Sequence, residues 1–170
     1  MSYEVRAARP EDLPALAAVE RAALDLFAEA GLPELADRPV LERAEVERYH
    51  AEGFVAVAEH ARDGIVGFVV ARPLGGCAHI QEMDVHPNHG RLGLGRRLLD
   101  MALAWARGAG YRQVTLTTFR DVAWNAPFYA RCGFRELPLA DASPELLELR
   151  RLEGTHGLPN DRRILMRVEF

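Results

Sequence analysis

The stretch HPNHGRLGLGRRLLDMALAWA, His86 to Ala106, constrains the fold more than any other part of the chain. It sets three glycines and five arginines or histidines directly ahead of an apolar helical run. Three β-rich segments precede it, FVAVAEH, IVGFVVARP and AHIQEMDVH, the first two joined at a turn containing Asp63 and Gly64. A helix N-terminus already carries partial positive charge and unpaired N–H donors, so Arg96 and Arg97 have the wrong sign for their position. The pattern predicts that an anion supplies the missing charge, with phosphate the first candidate.

Three phosphate-binding arrangements compete. The phosphate loop requires a lysine, and the chain has none: all 21 of its Lys-plus-Arg residues are arginine. A dinucleotide fingerprint requires a third glycine, but Gly93-Leu94-Gly95 is followed by Arg96, Arg97 and Leu98. That fingerprint also follows an early strand of alternating βαβ units, whereas here a meander comes first. What remains is a loop whose successive backbone N–H groups face a pyrophosphate, with Gly90, Gly93 and Gly95 expected to give the backbone freedom for close approach. Arginines at the rim would add charge-assisted contacts.

The rest of the sequence narrows the function classes. A chain of 170 residues suits one domain spanning 1–170. No apolar run is long enough for a membrane span and the N-terminus lacks the pattern of a signal peptide, so a cytoplasmic location is expected, without membrane partners. Cys77 and Cys132 stand far apart without a partner motif and are expected to be reduced. A formal charge of −4 with scattered arginines disfavours nucleic acid. The segment HIQEMDVHPNH invites a metal reading through His79, Glu82, Asp84, His86 and His89, but strand alternation turns His79 away from Glu82, Asp84 and His86. No metal is expected.

Hydrophobic periodicity gives the element order β-α-α-β-β-β-α-β-α-β-β. YEVRAA reads as the first strand, and Pro10 opens one helix ending near Gly31. LERAEVERYHAEG reads as the second helix, and the run from the glycine stretch to about Arg107 as the third. RQVTLTTF is a strand; Asn125 caps a helix in NAPFYARCGF that Gly133 terminates. FREL and RRILMRVEF are the last strands, separated by a loop-rich segment with a helical piece at SPELLELRRL.

The segments MDVHPNHGRLGLGRRLL, VTLTTF and WNAPFYARCGFREL, in this order, resemble the GNAT superfamily of acetyl-CoA-dependent N-acyltransferases. The resemblance implies an α/β fold of the α+β type: a mixed, mostly antiparallel sheet of about seven strands flanked by about four helices, splayed at the CoA site. The family's loop pattern is Gln or Arg, two residues, Gly, any residue, then Gly or Ala. Gly93 and Gly95 fill its last two positions, while Gly90 stands at the first and the arginine is displaced to Arg91.

By the same resemblance acetyl-CoA is the co-substrate. Its pyrophosphate would be cradled by Gly90, Arg91, Leu92 and Gly93, continuing through Leu94, Gly95 and Arg96. The pantetheine arm would bond the backbone of Met83 and Val85, with Asn125 and Phe128 on the other side. Tyr129 fits the tyrosine of the pattern running Asn125, Tyr129, Gly133, Phe134, and its hydroxyl would protonate the departing sulfur. Three assignments of the amine's proton acceptor stay open: Glu82, His79, or no dedicated base, with Thr117 or Thr118 merely ordering a water. The implied activity is acetyl transfer to a primary amine, which leaves a small amine, an amino acid, an antibiotic and a peptide N-terminus as acceptors. The alternative is a non-catalytic acyl-CoA sensor. Relatives line the acceptor pocket with segments that correspond here to residues 26–46 and 140–161, where Glu29, Glu34, Asp37, Glu145 and Glu148 are either attractors of a cation or a solvated surface. Pairing through C-terminal strands, giving a homodimer, is a further implication of the resemblance.

Overall fold

The computed structural model describes residues 2–170. Seven strands and five α-helices follow in the order β1 (Tyr3–Ala7), α1 (Leu16–Leu24), α2 (Arg43–Glu52), β2 (Phe54–His60), β3 (Gly64–Leu74), β4 (Cys77–Val85), α3 (Leu94–Gly108), β5 (Gln113–Phe119), α4 (Ala126–Arg131), β6 (Arg135–Glu136), α5 (Pro144–Thr155) and β7 (Arg163–Glu169). The strands form one mixed sheet in the order β1-β2-β3-β4-β5-β7-β6. The β1–β2, β2–β3, β5–β7 and β6–β7 pairs are antiparallel. β4 and β5 are parallel and pair at Ala78–Val114 and His79–Thr115. A parallel pair requires a crossover, and α3 is that crossover. Among the described residues no helix is long and apolar enough to cross a membrane.

Two expectations about helices need correction. The single helix expected from Pro10 to Gly31 is broken into a 3₁₀ segment at Pro10–Ala15, then α1, then a second 3₁₀ segment at Asp25–Ala28. Pro14, which has no N–H to donate, lies in the first of these. The helical piece near residue 143 is a full helix: Ser143 accepts a hydrogen bond from Leu146 N–H at 3.2 Å, and Pro144 occupies the first helical position.

The chain divides into two compact units, residues 2–72 with 81–105, and residues 73–80 with 106–170. In the first, Leu13, Leu16 and Val19 pack with Val46 and Tyr49 of α2 and with Val55, Val57, Phe68 and Val70 of the sheet. The strand residues lie two apart, as one face of a pleated strand demands. Gly67 allows β3 to approach its neighbours closely: a Cβ there would meet Asp84 O, Val85 Cγ2 and Leu98 Cδ1, each at 3.3 Å.

The second unit packs Leu137, Leu146 and Leu165 with Leu74, Ala142 and Leu149. It also contains a nearly buried ion pair, Arg163 Nη2 to Glu153 Oε2 at 2.7 Å, with side chains 10% and 13% exposed. Thr117 Oγ1 donates to Glu153 and accepts from Arg163 Nη2 at 2.7 Å. Removing one partner of such a pair leaves an uncompensated charge at low dielectric. Glu153→Leu should therefore destabilise the protein by about 3 kcal/mol or more in urea unfolding, and adding Arg163→Met should recover most of that loss.

Candidate active site

The first unit builds the glycine loop from the end of β4. His86 N–H donates to Val66 O at 2.7 Å, and His89 N–H returns to His86 O at 2.8 Å, closing a one-turn 3₁₀ segment at Pro87–His89. Beyond it the chain enters α3, where the Arg97 N–H bonds Gly93 O at 3.1 Å. The N–H groups of Leu94, Gly95 and Arg96 precede that bond at the start of the helix. Leu94, Leu98, Leu99 and Ala102 are at most 2% exposed and anchor the helix behind the loop. Leu94 therefore offers a ligand its backbone alone, whereas Leu92 is exposed.

The conformational argument holds at one glycine of the three. Gly93 has φ +77°, and a Cβ there would meet nothing within 4 Å. Gly90 has φ −70°, which any residue adopts, and Gly95 lies inside α3. The second left-handed position is instead Arg91, at φ 61°, where a side chain costs about 1 kcal/mol. Arg96 Nε bonds Asp100 Oδ1 at 2.9 Å, one helical turn on, so the helix start carries some of its own compensation. Open space at the Gly93 Cβ position and three N–H groups at the helix start still fit the oxygens of a pyrophosphate.

Beside the loop, β4 contributes to a cluster of acids. Glu82 and Asp84 share one face of the strand, and Glu20 reaches them from α1; carboxylate oxygens of the three lie within 4.8 Å of one another. Glu20 is 4% exposed and accepts from Leu41 N–H at 2.9 and 3.2 Å. Burial first, and the charge of Glu82 second, push its carboxyl up to about 8, against the smaller pull of the Leu41 N–H, Arg38 and Arg21. Asp84 keeps part of its surface, but Oδ2 is sealed from solvent without a hydrogen-bond partner. Burial, then Glu82 and Glu20, push it well above the ordinary carboxylate range.

Glu20 was not legible as a site residue, yet a signal existed. Leu16, Val19, Glu20, Ala23 and Leu24 form the buried stripe of α1, so helical spacing puts an acid among apolar positions. Met83 and Val85, half-buried, lie on the part of β4 beyond its two-residue ladder with β5.

The second unit holds the remaining candidates. Asn125 sits at the N-cap of α4 without capping it through its side chain. Its Oδ1 accepts instead from Thr118 Oγ1 at 2.9 Å and Phe119 N–H at 3.3 Å, tying α4 to the end of β5. Tyr129 is 8% exposed and packs edge-on against half-buried Phe128 and against Phe134, with ring centroids 5.2 and 5.7 Å away. His79, the rival base, is 1% exposed and its Nδ1 lies 2.9 Å from Thr115 Oγ1. Thr117 donates its hydroxyl to Glu153 and Thr118 donates its own to Asn125. The surface acids Glu29, Glu34, Asp37, Glu145 and Glu148 are all exposed, and Glu148 is paired with Arg151 at 2.7 Å.

The mixed seven-stranded sheet, with its crossover helix opening on a glycine loop, is the architecture that comparison with known proteins places in a class. The chain belongs to the acetyltransferase (GNAT) family, which it matches over residues 17–134. Among solved structures it resembles Rv2747 from Mycobacterium tuberculosis, in complex with CoA, at 23% identity and a TM-score of 0.71, over 98% of this chain and 99% of that one. The PaiA N-acetyltransferase from Thermoplasma acidophilum, in complex with coenzyme A, matches at 18% identity and a TM-score of 0.67 over 100% of both chains. N-acetylglutamate synthase from Neisseria gonorrhoeae, complexed with coenzyme A and N-acetyl-glutamate, matches at 19% identity and a TM-score of 0.70 over 99% of this chain. Only 35% of the synthase is covered, so the chain spans about a third of its length.

The acid cluster sets a pH dependence. A carboxyl raised from 4.5 to about 8 holds a proton in the folded state that the unfolded chain releases, so stability falls as pH rises between those values. Glu20→Gln keeps an acceptor for the Leu41 N–H and removes the titration. Its thermal midpoint should match the wild type near pH 5 and exceed it increasingly towards pH 8.5.

Proposed function

We propose that this acetyltransferase transfers acetyl from acetyl-CoA to a primary amine that arrives as a cation. The observation that carries this reading is the group of three carboxyls formed by Glu20, Glu82 and Asp84. An amine must lose a proton before or during attack, and a cluster of acids both attracts the ammonium and accepts that proton. Bound acetyl-CoA would supply the thioester that the amine attacks.

Each residue then has a stated task. The loop from Gly90 to Arg96 holds the pyrophosphate through its backbone N–H groups, with Arg91 and Arg96 at the rim. Met83 and Val85 offer backbone groups to the extended arm, in the manner of an added strand. With Glu20 and Asp84 held towards their neutral forms, Glu82 is the carboxylate assigned to take the amine proton. On α4, the Tyr129 hydroxyl donates to the departing sulfur, and the aromatic packing of Phe128 and Phe134 fixes its ring. Asn125, its Oδ1 committed to β5, has its Nδ2 for the arm. The Neisseria synthase was solved with an acetylated amino acid, which falls in the same acceptor class.

Calorimetric titration with acetyl-CoA, with NAD as control, tests the co-substrate: saturable heat with acetyl-CoA alone is expected. Gly93→Val should weaken that binding at least about tenfold while lowering the thermal midpoint by only a few degrees, the cost of a branched side chain in a left-handed position. Equal affinity would remove the loop from the site. Thiol release with a panel of amines should fall about a hundredfold in Glu82→Gln and in Tyr129→Phe, with acetyl-CoA affinity retained. Undiminished binding with no turnover on any amine, in the wild type, would instead support the acyl-CoA sensor.

A further inference from the structure

A second polar cluster lies in the first unit, at the turn between β2 and β3. His60 ends β2, Asp63 stands in the turn, and His89 closes the 3₁₀ segment ahead of the glycine loop. His60 Nδ1 and His89 Nε2 approach the same atom, Asp63 Oδ2, at 2.9 and 3.1 Å. The three ligand atoms lie within 4.8 Å of one another. The two histidines are 2% and 9% exposed, while the Asp63 side chain is 55% exposed and reaches in from solvent. The Tyr3 hydroxyl lies 2.8 Å from His89 Nδ1, leaving Nε2 as the nitrogen directed at Asp63.

We propose that His60, Asp63 and His89 bind a divalent transition metal of the zinc type, a site that goes beyond the acetyltransferase reading. Imidazole and carboxylate are ligands of this class, and three protein ligands with water in a fourth position form a recurring tetrahedral set. Zinc bonds of about 2.0–2.2 Å put neighbouring ligand atoms about 3.3 Å apart at tetrahedral angles. The two observed spacings therefore need to open by only about 0.2–0.4 Å.

The hydrogen bonding of His60 points the same way. Its Nδ1 also faces the Asp63 backbone N–H at 3.3 Å. The turn thus already aims Nδ1 of His60 at the Asp63 carboxylate, the same nitrogen that a shared cation would use. Tyr3 has the role of the outer partner that fixes the tautomer and direction of a ligating histidine. Spacing rules miss the set because its members come from a turn and from a segment 26 residues further on. A bound ion would pin the β2–β3 turn to the residue preceding Gly90, and thereby stiffen the base of the loop.

The test is zinc uptake by tag-free protein after chelator treatment, read by competition with a chromophoric chelator and needing no acetyl-CoA. One equivalent of Zn²⁺ is expected, and Co²⁺ in its place should give the visible absorption of a four-coordinate site that Zn²⁺ abolishes. Asp63→Ala, in an exposed turn, should weaken uptake more than tenfold, and Tyr3→Phe about tenfold. Uptake well below one equivalent, or uptake unchanged in Asp63→Ala, would overturn the proposal and leave a hydrogen-bonded His-Asp-His group.

Discussion

The parallel pairing of β4 with β5 is the constraint from which the site follows. Two adjacent parallel strands cannot be joined by a hairpin, so the chain must leave β4, cross, and return. The crossing element is α3, and its buried face of Leu94, Leu98, Leu99 and Ala102 fixes where the helix begins. The glycine loop is what connects the end of β4 to that fixed start. Its two ends are thus placed by packing, and the left-handed Gly93 makes the last turn into the helix.

Against this rigid frame stands a deliberate local cost. Glu20 occupies a position on α1 whose neighbours on the same stripe are apolar, and its burial opposes its own ionisation. The Leu41 N–H and the more distant arginines offset only part of that penalty. A leucine there would escape the cost of burying a carboxyl, at the expense of the acceptor for the Leu41 N–H. Acids retained in such a place are consistent with a task that needs them, since local rules are broken at functional sites more often than elsewhere.

Much of the architecture was legible because the relevant signals are local. Alternation marks the strands, Ser143-Pro144 marks the start of α5, and the glycine spacing marks the loop. What was not legible depends on partners distant in sequence. Asn125 has the residue type and position of a helix cap, but its oxygen is claimed by Thr118 and Phe119, which only the fold brings near. Arg96 has the wrong sign for the helix dipole, and its partner Asp100 stands four residues on, at a spacing that the sequence itself displays. His79 has the chemistry of a base, but that it lies buried with its Nδ1 on Thr115 is a fact of the sheet pairing and not of the local sequence. Glu20 reads as one acid among many until α1 is set against β4.

The acid cluster also makes the site a store of protons. Burial first and Glu82 second hold both Glu20 and Asp84 towards neutrality, with Glu20 adding to the push on Asp84, so a cation placed beside them would offset the repulsion and drive protons out. Binding of a cationic acceptor would therefore be coupled to proton release, and its measured heat would depend on the ionisation enthalpy of the buffer. Affinity would rise with pH until the acceptor itself lost its charge, confining the best binding to a window whose lower edge belongs to the protein and whose upper edge belongs to the amine.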